Sequence, residues 1–381
     1  STHPPATPDS VASRGLGDVY KRQLLYNMIF EVLLYIASAL IFCTFIGYPI
    51  VLSMFSRKEY IIDDQFMPTV SIIISTHNEE KHIESKLDNT LKLVYPLGKL
   101  QIIVVNDGST DKTEEIVKSF EGIKLINLTH QGKTIAQNSG VKEATGNIVV
   151  FSDANNLYHL DAIKKLVAPF ADDRIGVVCG QLKYNQGSVA ESRYWSFEFM
   201  LKKLESRRGS LLGANGSIYA LRKENYVPLP EDVISDLIEP IKIFGNGKDV
   251  IFESNAIATE ESPGEILDRK RRIILRSLVS IKEISYLLNP FRSRNIFFQF
   301  LFHKLLRWCL PLFLLSILVL SSILVGYSNL YKILLITQIA FYTAGWIIHP
   351  ARYFMLVNLA SLLAVIDWLT GRRINTWDVV R

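Results

Sequence analysis

Residues 32–55 run for 24 positions without a charged side chain. At about 1.5 Å of rise per residue, a helix of that length exceeds the roughly 30 Å hydrocarbon core of a bilayer. A second uncharged run of 24 covers 308–331, a third at 333–350 contains only His349, and a fourth at 353–370 is interrupted by Asp367. Between 55 and 308 no apolar stretch exceeds the length of a buried strand. This segregation predicts a transmembrane helix at 28–56, a water-soluble domain at 68–285, two or three transmembrane helices within 308–370, and a tail at 371–381. A chain that is 49% hydrophobic and 21% charged belongs to none of the disordered, collagen-like or disulfide-scaffold classes.

Residues 1–27 read as a leader outside the fold. The first 23 are rich in Pro, Ser, Thr and Asp without periodicity, and 18–23 look like a translated sequencing adapter, which puts the expected native start near Met28. The following apolar run is too long for a signal peptide and lacks a small-residue cleavage site. Cys43, Cys179 and Cys309 show no metal-type spacing and read as buried free thiols in a reducing compartment.

Charge gives orientation. Residues 268–307 carry ten Lys/Arg against Asp268 and Glu283, although the whole chain is only +5. Basic residues bordering spans stay on the cytoplasmic side, and Arg57 and Lys58 after the first run agree. The expected placement is the inner membrane, with the soluble domain in the cytoplasm. Phe297, Phe298, Phe300 and Phe302 interleave with the basic residues, so 290–307 reads as an amphipathic helix in the headgroup layer, in contact with membrane lipids. Its position beside a span argues against nucleic acid as a partner. Four true spans would leave Arg372, Arg373 and Arg381 outside, so the fourth element is either interfacial or re-entrant, or the topology breaks the charge rule.

Within the soluble domain, short apolar runs alternate with helical spacing. Strands are expected at 70–75, 100–105, 123–128 and 148–151, with helices at 79–93, 111–120 and 134–143 between them. Such alternation predicts an α/β fold with a parallel sheet and right-handed crossovers. Polar clusters fall at the carboxyl ends of the first, second and fourth strands: Thr76-His77-Asn78-Glu79, Asn106-Asp107-Gly108-Ser109 and Ser152-Asp153-Ala154-Asn155. Singly each could be a turn or a helix cap, Ser109 or Asp111 serving the second helix. Together they mark the edge where open α/β sheets bind ligands. No Gly-x-Gly-x-x-Gly follows the first strand, and Gly132-Lys133-Thr134 lacks the upstream glycine of a phosphate loop.

In order and spacing, these clusters resemble the membrane-bound family 2 glycosyltransferases of the GT-A fold, the type of bacterial polysaccharide and glycolipid synthases. The resemblance covers about 70–278. It implies a Rossmann-like, mainly parallel sheet, a nucleotide-sugar donor (UDP-linked before GDP-linked), and Mg²⁺ or Mn²⁺ held by an Asp-x-Asp motif that reads Asp153-Ala154-Asn155 here. An amide at the third position still coordinates but adds no charge, so metal retention without nucleotide should be weaker. By the same resemblance Asp107 contacts the nucleoside, Thr76, Asn78 and Glu79 wrap uracil and ribose, and Lys133 neutralises phosphate, against the plain reading of a solvated surface lysine. The general base of inverting transfer corresponds to Asp236 in Ser235-Asp236-Leu237-Ile238, where a helix cap would want the same position, with Glu231 and Asp232 a less well-placed pair. Gly213, Asn215 and Gly216 correspond to the acceptor loop, or to a strand-entry turn.

The Gln-x-x-Arg-Trp motif of processive synthases is missing. Arg272 in Arg269-Lys270-Arg271-Arg272-Ile273 stands for its arginine, without the glutamine or tryptophan. The expectation is a hexosyl- or N-acetylhexosaminyltransferase that adds single sugars or short extensions to a membrane-proximal glycan or lipid-linked acceptor. Two alternatives stay open: a polyprenyl-phosphate sugar transferase, whose acceptor phosphate attacks without a base, and a degenerate transferase domain serving as a membrane scaffold.

Overall fold

The computed structural model describes residues 8–185, 189–261 and 266–372. Part of the expected leader (1–7) and of the tail (from 373) therefore lies outside the described residues.

Among the described residues, eight strands form one sheet. In chain order they are β1 Val70–Thr76, β2 Leu100–Asp107, β3 Ile123–Leu128, β4 Ile148–Asp153, β5 Asn156–Tyr158, β6 Ile175–Asn185, β7 Tyr219–Arg222 and β8 Asp249–Glu261. Across the sheet they run β3-β2-β1-β4-β7-β6-β8-β5. The first four are parallel, in the places that apolar runs and intervening helices predict. Every residue of β1 is buried, because helices cover both of its faces. Side chains alternate across a strand, so Ile72 and Ile74 pack with Ile83, Leu87 and Leu166 on one face, while Ile73 packs with Ala136 and Val141 on the other. Helix Lys133–Glu143 comes very close: a Cβ on Gly140 would meet Ile73 Cγ2 at 2.5 Å.

The remaining strands turn the sheet mixed. β7 is antiparallel to β4 and β6, and β5 is antiparallel to β8, while β6 and β8 are parallel. This is the GT-A arrangement, with the carboxyl ends of β1, β2 and β4 opening on one edge. Asp111, rather than Ser109, organises the start of helix Thr113–Lys118: its carboxylate accepts from the Thr113 N–H (3.0 Å) and from the Glu80 N–H (3.0 Å).

The apolar runs are helices. Lys21–Ser53 and His349–Leu369 are each long and apolar enough to cross a membrane, and the pair Arg294–Trp308 and Leu310–Ile323, bent by 57°, makes a third if it is one span. Helix Asn329–Ala344 has only 16 residues. The fourth run, for which an interfacial or re-entrant element and a span against the charge rule both stayed open, is a continuous 21-residue helix despite Asp367. Arg271 explains how it carries that charge: its guanidinium grips the Asp367 carboxylate at 2.6 and 2.8 Å. Within the segment expected as a leader, helix begins at Pro8. Once a helix is nucleated, each added residue costs little, and nothing in 9–27 interrupts it strongly. The helix expected at 290–307 is also not purely interfacial. Ile296 and Phe300 bury against Leu275, Leu278 and Trp308, and Gln299 donates to the Ser210 carbonyl (2.8 Å), so this segment packs on the soluble domain.

Candidate active site

Beyond the carboxyl edge of the sheet lies a cavity of about 1250 Å³. Asp153, at the end of β4, is on its wall with its side chain 24% exposed. One carboxylate oxygen pairs with the Lys133 ammonium, which the first turn of helix Lys133–Glu143 delivers. The other accepts from Ser217 Oγ at 3.2 Å. From below, the turn is pinned by Asn156, whose amide donates to the Asp153 carbonyl (3.0 Å) and whose Oδ1 accepts from Lys86 Nζ (2.8 Å). Lys86 is fully buried over the Tyr158 ring, and burial pulls its ammonium down to about 7.

Asp236 enters from the opposite wall. It lies in the first turn of helix Ser235–Gly245, whose cap position is Ile234 with no side-chain cap, so its carboxylate is not spent on capping. Burial raises its pKa, and the Lys133 charge opposes that rise. The loop 213–217 packs between the two acids. Ala214 N–H donates to the Asp236 carbonyl (2.7 Å), and Gly216 faces both the Asp236 carboxylate and Lys133. Gly213 also lies on the wall, whereas Asn215 holds the loop in place: its amide donates to the Gly180 carbonyl (2.6 Å), its N–H to Cys179 Sγ (3.2 Å), and its Oδ1 accepts from Lys202.

Glu79 and Arg272 also line the cavity, but Thr76, Asn78 and Asp107 are not on its wall. The resemblance expects Asp107 at the nucleoside; in the structure it lies behind the loop ahead of Lys133. Asp107 is 0% exposed, and its two oxygens accept the N–H groups of Gln131 (2.6 Å) and Gly132 (2.7 Å), fastening the loop ahead of Lys133. Asn78, at φ +53°, ties the exit of β1 to the exit of β2 through Ser109 Oγ and the Thr110 N–H. The Thr76 hydroxyl is buried without a partner. These three residues build the floor of the neighbouring loops.

Three acids or bases here went unnoticed in the sequence. Glu260, near the end of β8, accepts from Asn155 Nδ2 (2.9 Å) and Ser217 Oγ (3.4 Å) on the cavity wall, and burial lifts it to about 7 against the charge of Arg269. Glu239, one helical turn beyond Asp236, accepts from Tyr219 Oη (2.9 Å), and burial lifts it to about 8. Lys86 is the third. Each depends on a contact between distant segments, and no local pattern marks it.

The donor set suits a hard divalent cation only in part. Asp153 supplies an accessible carboxylate, and Asn155, with its amide nitrogen held by Glu260, keeps its carbonyl oxygen as a ligand. Among the described residues no three His, Cys, Asp or Glu side chains stand at ligand spacing. Protein atoms would therefore hold Mg²⁺ or Mn²⁺ only together with phosphate oxygens, as is usual for Mg²⁺ in phosphoryl sites.

Comparison with known proteins agrees. Residues 71–226 match the family described as Glycosyl transferase family 2. Glycosyltransferase AglE of Haloferax volcanii is 28% identical over 219 residues, 54% of this chain and 72% of the relative. Poly-beta-1,6-N-acetyl-D-glucosamine synthase of Staphylococcus epidermidis is 26% identical over 210 residues, 52% of this chain and 50% of the relative. Among solved structures, the mannosyltransferase PcManGT from Pyrobaculum calidifontis, in complex with GDP-Man and Mn²⁺, shares the fold at a TM-score of 0.70 and 23% identity, over 90% of this chain and all of that one. The sheet order and the site on its carboxyl edge define a GT-A glycosyltransferase. The likeness to glycosyl transferase family 2 is carried by residues 71–226.

Proposed function

We propose that this enzyme transfers a sugar with inversion from a nucleotide sugar, UDP-linked before GDP-linked, to a membrane-proximal glycan or lipid-linked acceptor. The observation that carries the reading is the convergence of Asp153, Lys133 and Asp236 on one cavity from three separate elements. Asp153 and Asn155 would hold Mg²⁺ or Mn²⁺, which neutralises the charge of the leaving diphosphate. Lys133 then moves from Asp153 to the phosphates as a mobile point charge. Asp236, partly desolvated and so a stronger base than an exposed aspartate, takes the proton of the attacking hydroxyl. Mn²⁺ and nucleotide sugar in the fold relative, and the basic belt beside the apolar helices, support a metal-dependent site at the cytoplasmic face of the inner membrane.

The test is Asp236→Asn. Transfer should fall about 10²–10⁴-fold while nucleotide–Mn²⁺ binding persists. Full activity in this variant would instead favour an acceptor phosphate attacking directly. Absence of nucleotide–Mn²⁺ binding by the wild type would favour the scaffold.

A further inference from the structure

The turn that follows β4 carries two asparagines, and each faces one buried charge. From below, Lys86 Nζ donates to Asn156 Oδ1 at 2.8 Å. An ammonium only donates, so this contact turns the Asn156 amide nitrogen toward the Asp153 carbonyl, to which it donates at 3.0 Å. From the side, Glu260 Oε1 accepts from Asn155 Nδ2 at 2.9 Å. An ionised carboxylate only accepts. Asn155 lines the cavity, and with its nitrogen taken, its carbonyl oxygen is the atom left for a ligand. An amide that could present either end is thus held one way round.

The sheet itself fixes Glu260. β8 runs between β6 and β5, and in register Glu260 lies opposite Tyr184 on one side and Asn156 on the other. Its second oxygen is 3.4 Å from Ser217 Oγ, which stands 3.2 Å from Asp153 Oδ2, so one hydroxyl proton is shared between the two acids. Arg269, Asp153 and Lys133 are the charges in reach of Glu260. Two cations therefore face two carboxylates, and burial does not leave Glu260 without a counter-charge. A second acid thus stands beside the Asp153 turn, one hydrogen bond behind the amide at position 155.

We propose that Glu260 is a positioning residue for the divalent cation: through the Asn155 amide it aims the carbonyl oxygen, and it supplies the negative charge that the third position of Asp153-Ala154-Asn155 lacks. This rests on the glycosyltransferase reading and deepens its metal site. A carboxylate that hydrogen-bonds a metal-binding side chain fixes its orientation and raises its basicity. Here the ligand atom and its charge are divided between two residues 105 positions apart. The charge missing at position 155 is returned from β8, and the phosphates of the nucleotide complete the coordination.

The experiment uses the full chain in nanodiscs, in mildly alkaline buffer where carboxylates are ionised, with UDP and Mn²⁺ as probes and bound Mn²⁺ read by electron paramagnetic resonance. Glu260→Gln keeps the shape and can still accept from Asn155, but it removes the charge, and Mn²⁺ binding in the presence of UDP should weaken about 10–100-fold. Asn155→Asp added to Glu260→Gln moves the charge to position 155, where the new amide donates to it, and should restore binding. Asn155→Asp alone should gain little, because two carboxylates cannot share that hydrogen bond. Unaltered binding in Glu260→Gln, or an equal gain from Asn155→Asp with and without Glu260, overturns the proposal, since independent sites add. A wild type that binds Mn²⁺ with UDP while Glu260→Gln does so equally well loses only the role of Glu260. A wild type in which UDP brings no Mn²⁺ binding defeats the transferase reading itself.

Discussion

Gly216 lies so near Asp236 that a Cβ at this position would stand 2.9 Å from the Asp236 Oδ2 and 3.3 Å from the Lys133 Nζ. The glycine is not in a left-handed conformation, so its lack of a side chain serves space rather than backbone freedom. Gly216→Ala should fold and bind donor, yet push the base or the lysine off its position. A displacement of that size in an active site costs about 100-fold in the extreme. Steady-state kinetics should therefore show kcat reduced by about 10–100-fold with nucleotide–Mn²⁺ affinity nearly unchanged; a normal kcat would mean that the site tolerates the methyl group.

The pH profile of transfer follows from Asp236. As the proposed base, Asp236 would work ionised, so the rate should be full above its pKa and lost as pH falls through it. Burial lifts that midpoint above the usual aspartate value of about 3.9. Lys133 pulls the other way, so Lys133→Met, assayed at saturating donor, should move the acid limb to higher pH. A limb that stays in place would show that another group titrates.

Lys133 also sits where a divalent cation would compete for Asp153. In Lys133→Met the carboxylate loses its resident counter-charge. Calorimetry should find Mn²⁺ alone binding more tightly than in the wild type, and the nucleotide diphosphate about ten-fold more weakly, since one cation-to-phosphate contact of about 1.4 kcal/mol is gone. Parallel changes in both affinities would contradict this exchange.

Glu239 offers a test of stability. Its pKa is raised from about 4.5 to about 8, so the folded chain holds this proton where the unfolded chain releases it. The contribution to stability is complete below about pH 4.5 and declines until the pH has passed about 8. Glu239→Gln keeps the shape and the neutral charge, accepts from Tyr219, and should stay within about 1 kcal/mol at neutral pH. Denaturant unfolding across that window should show a flatter pH dependence in the variant. An unchanged slope would mean that Glu239 is ionised in the native state.

The parallel half of the sheet was legible because strands buried on both faces are written as unbroken apolar runs, such as Val70 to Thr76. The other half was not. β7 has four residues, and β8 mixes Glu253, Ser254 and Asn255 into its span, so neither stands out from a loop. The carboxyl-edge clusters pointed to one edge of the sheet, and Asp153, Lys133 and Asp236 line one cavity beyond it. Asp107 looked the same in sequence as Asp153, but only the fold shows its oxygens taken by the 131–132 backbone. Glu260 meets Asn155 across 105 positions, and Lys86 occupies a helical position that reads as solvated until Asn156 and Tyr158 close over it.

The clasp between Arg271 and Asp367 has a mechanical consequence. Arg272 and Arg276 share a helix with Arg271, so a sideways shift or tilt of the His349–Leu369 helix carries them along. Helices tilt to match the hydrocarbon thickness around them. A shift of that helix would thereby reach, through one ion pair, the cavity wall that Arg272 and Arg276 help to form.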